Sequence, residues 1–368
     1  MNHVKRAAGC AAVAVLVAAI AVTATHQTSP GAAHLAWTPA ATASTVTLTA
    51  PVTIVIPDTT TTAATTGTTT TSITTTTAPT TTTTTTTTAS PLPAGSVYVA
   101  MGDSYSSGEG ANQIPGGTPD STMISGNCRR STKAAQMLLT AQYGWQLTNP
   151  ACAGSTTANV LNTFGWEAPQ MTQLTANAKL VTMTIGGNDV QLLQLLVNCV
   201  VGTFYGDCVP TNNTGYAPTP AQQIATVDTA IAQLEPKIEN VVRAVIGVAP
   251  GAKVRMAGYP WVIAPPGQPI GTCTWLSTGE QTMFDTELHK LNDAIRIGTQ
   301  TVAAANPGLD IQYVDPMVPG SPFQVTDNGC STTSTRYMNA ATGDSTNWHP
   351  NIYGQQHYAD LYRASLGL

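Results

Sequence analysis

Three side chains in this sequence are of types, and in places, that could assemble acyl-transfer chemistry. Ser104 lies in Gly102-Asp103-Ser104-Tyr105-Ser106-Ser107-Gly108-Glu109-Gly110, directly after the apolar run 96–101. A serine just past a strand, among small residues, presents its hydroxyl at the sheet edge while backbone N–H groups of the turn face the same space. That suits a nucleophile with its own oxyanion donor, although alone a Gly/Ser-rich loop is only a loop. Gly186-Gly187-Asn188-Asp189 follows the run 179–185, and the Asn188 amide can donate to a developing oxyanion. Asp189 at a helix start is explained by the helix dipole. The third segment is Asn347-Trp348-His349-Pro350-Asn351, a histidine in a loop ahead of the last helix. A serine hydroxyl needs a base of suitable pKa, and histidine is the usual one. His289 and His357 fall inside helical patterns and read as surface or packing residues.

Strand-like runs over 96–101, 179–185, 253–257 and 311–314 alternate with helical patterns over 133–143, 190–200, 220–246, 279–304 and 351–365. Such alternation means an α/β fold with a parallel sheet covered on both faces. Ligands of such sheets sit at the carboxyl ends of the strands, where Ser104 and Asn188 fall.

Of the 368 residues only 9% are charged, the net charge is -5, and the longest basic block is Arg129-Arg130. This argues against nucleic acid as a partner, because binding it needs clustered cations. No apolar run suggests a multi-pass membrane protein. Residues 1–24 carry Lys5 and Arg6, an apolar stretch and a small-residue end, which reads as a signal peptide or, alternatively, an uncleaved anchor. Cys10 sits at the start of that apolar stretch, which argues against a lipid-attachment cysteine. Residues 25–92 form a Thr/Ala-rich linker, with 80–88 unbroken threonine. No core can form there, so it is expected to be a disordered stalk, O-glycosylated or inert. The folded part is then 93–368. After Cys10 come Cys128, Cys152, Cys199, Cys208, Cys273 and Cys330, an even number that reads as a disulfide framework in an exported chain. No C-x-x-C or Cys/His ligand spacing occurs, so no metal site is expected.

From about Tyr98 to the end, the chain resembles the SGNH (GDSL) hydrolases, and more narrowly their secreted actinomycete-type lipases and esterases. The resemblance rests on GDSYSSGEG at 102–110, Gly154 in Ala153-Gly154-Ser155 after Cys152, GGND at 186–189, His349-Pro350, and the six cysteines. It implies a flavodoxin-like three-layer sandwich with a five-stranded parallel sheet and no cofactor. Ser104 would be the nucleophile and His349 the general base, with the Ser104 N–H, the Gly154 N–H and the Asn188 side chain as oxyanion hole. Asp103 would hold the turn. Sequential disulfides would join Cys128 to Cys152, Cys199 to Cys208 and Cys273 to Cys330. One departure stands out: the family's usual aspartate three residues before the histidine is replaced by Thr346. Either the Thr346 backbone carbonyl or the Asp344 carboxylate would orient His349, and the carbonyl is the favoured reading.

The expected function is therefore an extracellular esterase or lipase, monomeric, secreted or tethered to a surface through its N-terminal segment, acting on esters of lipids or acylated polymers. Loops 202–219 and 259–279, rich in Gly, Pro and aromatics, would wall the substrate groove, and an apolar wall favours fatty-acyl esters. A stalked carbohydrate acetyl esterase is the first alternative; a non-catalytic surface binding protein is the second, from a different class.

Overall fold

In the computed structural model, the described residues are 92–111, 123–125, 128–202, 220–340 and 347–368. The segments 1–24 and 25–91, the Cys199–Cys208 pair, most of loop 202–219, Asp344 and Thr346 lie outside them or outside their described side chains. In chain order the main elements are β1 (Val97–Gly102), α1 (Ser104–Ser107), α2 (Ala135–Tyr143), β2 (Gln146–Thr148), α3 (Thr157–Leu161), β3 (Leu180–Thr184), α4 (Gly187–Val190) and α5 (Leu192–Gly202). They continue with α6 (Pro220–Ala232), α7 (Leu234–Val248), β4 (Lys253–Ala257), α8 (Thr278–Ala305), β5 (Ile311–Val314) and α9 (Ile352–Ser365). A short antiparallel pair, Met123–Ser125 with Arg130–Ser131, stands apart from the main sheet.

The sheet is parallel throughout, in the order β2-β1-β3-β4-β5. This is the flavodoxin-like order, whose switch point lies between β1 and β3. Every residue of β3 and all but the first of β1 are buried, as expected of strands covered on both faces. Helices α2 and α9 pack together, and α7 packs against α3 and α8. The two sets cover the sheet and complete an α/β three-layer sandwich. The inner polar group of note is Arg255 on β4, almost fully buried, whose guanidinium pairs with Asp310 at 2.7 Å and reaches the Ser365 carbonyl at 3.1 Å.

Three details differ from the sequence expectation. The helix expected over 220–246 is two helices, α6 and α7, divided at Gln233. Pro236, third in α7, has no N–H and its ring would clash with the Ala232 carbonyl of a continuous helix. The expected helix over 133–143 begins two residues later, at Ala135. Strand β2 was not visible as such in the sequence, because three half-exposed residues on a sheet edge carry no burial pattern.

Candidate active site

Ser104 is placed by the end of β1. Gly102 has φ +120, and a Cβ there would come within 2.2 Å of the Thr184 carbonyl, so β1 can pass against β3 only with a glycine at this point. Asp103 then caps α1, and its buried carboxylate accepts from the Tyr105 N–H (3.0 Å), the Thr184 hydroxyl (2.9 Å) and the Tyr259 hydroxyl (2.5 Å). The turn-holding role expected of Asp103 thus extends to β3 and to the loop after β4. Burial outweighs these donors and pushes the Asp103 carboxyl up to about 6. The unfolded carboxyl titrates near 3.8, so the folded chain holds this proton more tightly. Its contribution to stability is complete below that value and is lost as pH rises through about 6. Denaturant unfolding at a series of pH values should show this falling component, and Asp103→Asn should remove it.

His349 sits two residues ahead of Asn351, whose side chain caps α9 by accepting from the Tyr353 and Gly354 N–H groups. Its Nε2 lies 2.8 Å from Ser104 Oγ and its Nδ1 2.9 Å from the Asn347 carbonyl. A carbonyl only accepts, so Nδ1 carries the proton and Nε2 turns its lone pair to the serine. The carbonyl that faces Nδ1 is that of Asn347, one residue on from the Thr346 carbonyl expected from the sequence. Trp348, at φ +60, makes the tight turn that brings the Asn347 carbonyl back beneath the ring two residues later. Asp344 and Thr346 themselves lie outside the described residues. Tyr105 supports the same loop, donating its hydroxyl to the Trp348 carbonyl (2.7 Å) while its ring packs 5.5 Å from the imidazole. His289 is largely exposed, and His357 packs against Phe323 and Tyr337, where burial pushes its pKa down. Neither approaches Ser104, in keeping with the surface and packing roles expected of them.

Gly154 follows Cys152, which is bonded to Cys128. Gln170 locks this segment to β1: its side chain accepts from the Gly102 N–H (2.6 Å) and donates to the Gly102 carbonyl (2.8 Å) and the Ser155 hydroxyl (3.2 Å). Asn188 donates to the Ser155 carbonyl at 2.9 Å, so the GGND and Gly154 segments are joined directly. Asp189 does more than face a helix dipole. It accepts from the Thr157 N–H (2.8 Å) and hydroxyl (2.6 Å) at the start of α3. The second disulfide, Cys273–Cys330, is formed as the resemblance implied.

Beside Ser104 and Asn188 opens a narrow cleft walled by Leu192, Leu193, Tyr259, Val262, Leu288 and Leu291. Of the aromatics expected to line a groove, Tyr259 does so; Trp261 instead donates to Asp285, and Trp275 packs edge-on against Trp348. Glu109, Gln170 and the leucines of α8, Leu288 and Leu291, had no role in the sequence expectation. Glu109 lay inside a quoted motif and the leucines inside a helical stripe, whereas Gln170, in an isolated turn, carries no signal at all.

The family model described as GDSL-like lipase/acylhydrolase matches residues 100–357, most of the chain and all of the site just described. The chain belongs to the GDSL-like lipase/acylhydrolase family. That membership makes it a carboxylic ester hydrolase of the SGNH type. Among relatives, it is 35% identical to a lipase of Streptomyces rimosus over 47% of this chain and 55% of that one, so the match spans little more than half the relative's length. It is 28% identical to Lipase 2 of Streptomyces coelicolor over 74% of this chain and 86% of that one. Among solved structures, the phospholipase A1 of Streptomyces albidoflavus is similar with TM-score 0.54 and 28% identity, covering 74% of this chain and 100% of that one. The extracellular lipase of S. rimosus is similar with TM-score 0.56 and 26% identity, covering 73% and 99%. This GDSL-like chain therefore shares its fold with the actinomycete branch.

Proposed function

We propose that this protein is an exported serine esterase that hydrolyses fatty-acyl esters through an acyl-enzyme on Ser104. The observation that carries the reading is the 2.8 Å contact between Ser104 Oγ and His349 Nε2 at the mouth of an apolar cleft. Ser104 Oγ attacks the ester carbonyl carbon as its proton passes to His349 Nε2, and the imidazolium then gives that proton to the departing alkoxide. Water repeats the sequence on the acyl-enzyme and frees the acid. The tetrahedral oxyanion would be received by the Ser104 and Gly154 N–H groups and by the second amide N–H of Asn188, whose first is used by the Ser155 carbonyl. Asn347, through its carbonyl, keeps the ring in the reactive tautomer.

The acyl chain is assigned to the cleft because its walls are mostly leucine and valine, with Tyr259, and these gain from meeting alkyl groups. Rates on esters with acyl chains of two to sixteen carbons test this. Activity should extend well beyond acetyl, and a collapse after two carbons would point to the acetyl esterase instead. Residues 1–24 are proposed to export the chain and 25–92 to serve as its stalk, supported by two disulfides that suit an oxidising compartment. We place the protein outside the cell, as a monomer with no nucleic-acid partner. The direct test of the nucleophile is a fluorophosphonate probe: the folded protein should carry one adduct, on Ser104. Its absence would leave the non-catalytic binding reading.

A further inference from the structure

The loop after α1 brings a carboxylate against the reacting edge of the imidazole. Glu109 Oε2 stands 3.6 Å from His349 Nε2, on the side of the ring that faces Ser104, and the Glu109 side chain is 4% exposed. Its other oxygen, Oε1, pairs with the Arg129 guanidinium. Arg129 is held in place by neighbouring features: its backbone is at φ +50, its carbonyl accepts from Ser107, and Cys128 before it is tied to Cys152. Gly110 next to Glu109 lies so close to His349 that an added Cβ would come within 2.8 Å of the histidine Cβ. The backbone beside Glu109 is thus held against His349, and the ion pair to Arg129 holds the carboxylate itself.

We infer that Glu109, held by Arg129, supplies the countercharge for the imidazolium that forms when His349 takes the Ser104 proton. The inference rests on the Ser104–His349 reading above and adds to it a positioning residue that acts through the histidine. The distances separate this role from hydrogen bonding. Ser104 Oγ at 2.8 Å is within hydrogen-bond reach of Nε2, whereas Glu109 Oε2 at 3.6 Å is beyond it. The carboxylate thus does not compete for the ring proton, yet an opposite charge at that distance in a buried site still favours the protonated ring. Arg129 draws the carboxylate the other way, so that it steadies the cation without trapping it. Among the described residues, the ring also meets Tyr105, whose hydroxyl is kept neutral by burial that raises its pKa well above the usual value, and the Asn347 carbonyl. Asp344, a few residues before His349 in sequence, lies outside the described residues.

The experiment follows the rate of Ser104 labelling by a fluorophosphonate, and kcat for a short-chain p-nitrophenyl ester, from pH 4 to 9. The full chain is compared with Glu109→Gln and Arg129→Gln. Glu109→Gln should move the acid limb of both profiles down by about one pH unit and lower the plateau rate about ten-fold, with KM little changed. Arg129→Gln should move the limb in the opposite direction by a smaller amount, since that side chain is 37% exposed. A purely structural Glu109–Arg129 pair would lower stability and leave both acid limbs where they are, and that outcome overturns the inference. If Glu109→Gln does not fold, the upward shift in Arg129→Gln decides alone, and its absence is equally fatal. Failure of the underlying reading looks different: the wild-type protein would then give no Ser104 adduct at any pH.

Discussion

Replacing Ser104 or His349 by alanine should lower kcat on the order of 10⁴–10⁶ with the fold intact, the range seen when the nucleophile or base of a serine hydrolase is removed. The two losses should not add, because the hydroxyl and the imidazole act as one unit across the 2.8 Å contact. The measurement is kcat for each single variant and for the double variant, with circular dichroism to establish folding. Additive losses would mean that each residue acts separately, against the geometry. The same assay addresses how the base is oriented. Loss of the carboxylate from a true triad costs on the order of 10⁴, whereas a main-chain carbonyl survives side-chain replacement. Since Nδ1 faces the Asn347 carbonyl, Asp344→Asn and Asn347→Ala should both be nearly silent. A fall of several orders of magnitude in Asp344→Asn would make Asp344 the third member.

A large stability effect is expected at Gly102, which lies outside the lining of the cleft. In Gly102→Ala the new Cβ would meet the Thr184 carbonyl at 2.2 Å and the Ser106 hydroxyl at 2.7 Å, at φ +120 where side chains are strained in any case. The nearest obstacle is backbone of the neighbouring strand, so no rotamer change relieves it. The cost should be about 3–5 kcal/mol, in the range of severe single substitutions. Urea unfolding should show a lower midpoint at unchanged slope. Because Gly102 also gives its N–H and carbonyl to Gln170, the folded fraction should lose activity too. A variant as stable as the parent would mean that β1 and β3 can separate here without penalty.

The chemistry was legible in the sequence because it rests on short segments whose local form is fixed locally. Gly102-Asp103-Ser104 after a fully apolar strand can only turn at a sheet edge, and a histidine just ahead of a capping asparagine is bound to sit in a loop. The resemblance then placed Ser104, Gly154, Asn188 and His349 in one site. The structure brings Ser104 to His349 and Asn188 to the Gly154 segment through contacts between residues 245 and 33 apart in sequence. The parallel order of the strands was legible for a related reason: buried strands alternating with helices leave few ways to cover both faces.

What tertiary structure alone decided are the contacts whose partners are far apart and carry no motif. Gln170 is an ordinary glutamine in an isolated turn until folding lays it along β1. Tyr259, expected only as a groove wall, also satisfies Asp103, because β1 and β4 flank β3 in the sheet and the tyrosine reaches across its carboxyl end. The residue whose carbonyl faces His349 depends on one backbone angle at Trp348, which composition does not encode. The sequence by itself determined the parallel sheet and the short segments holding Ser104, Asn188 and His349 at its edge and in the loop before the last helix, because periodicity and turn chemistry act between near neighbours. Only the folded chain decided that Glu109 would face His349 with Arg129 behind it, since the energy of a buried charge depends on what surrounds it in space rather than in sequence.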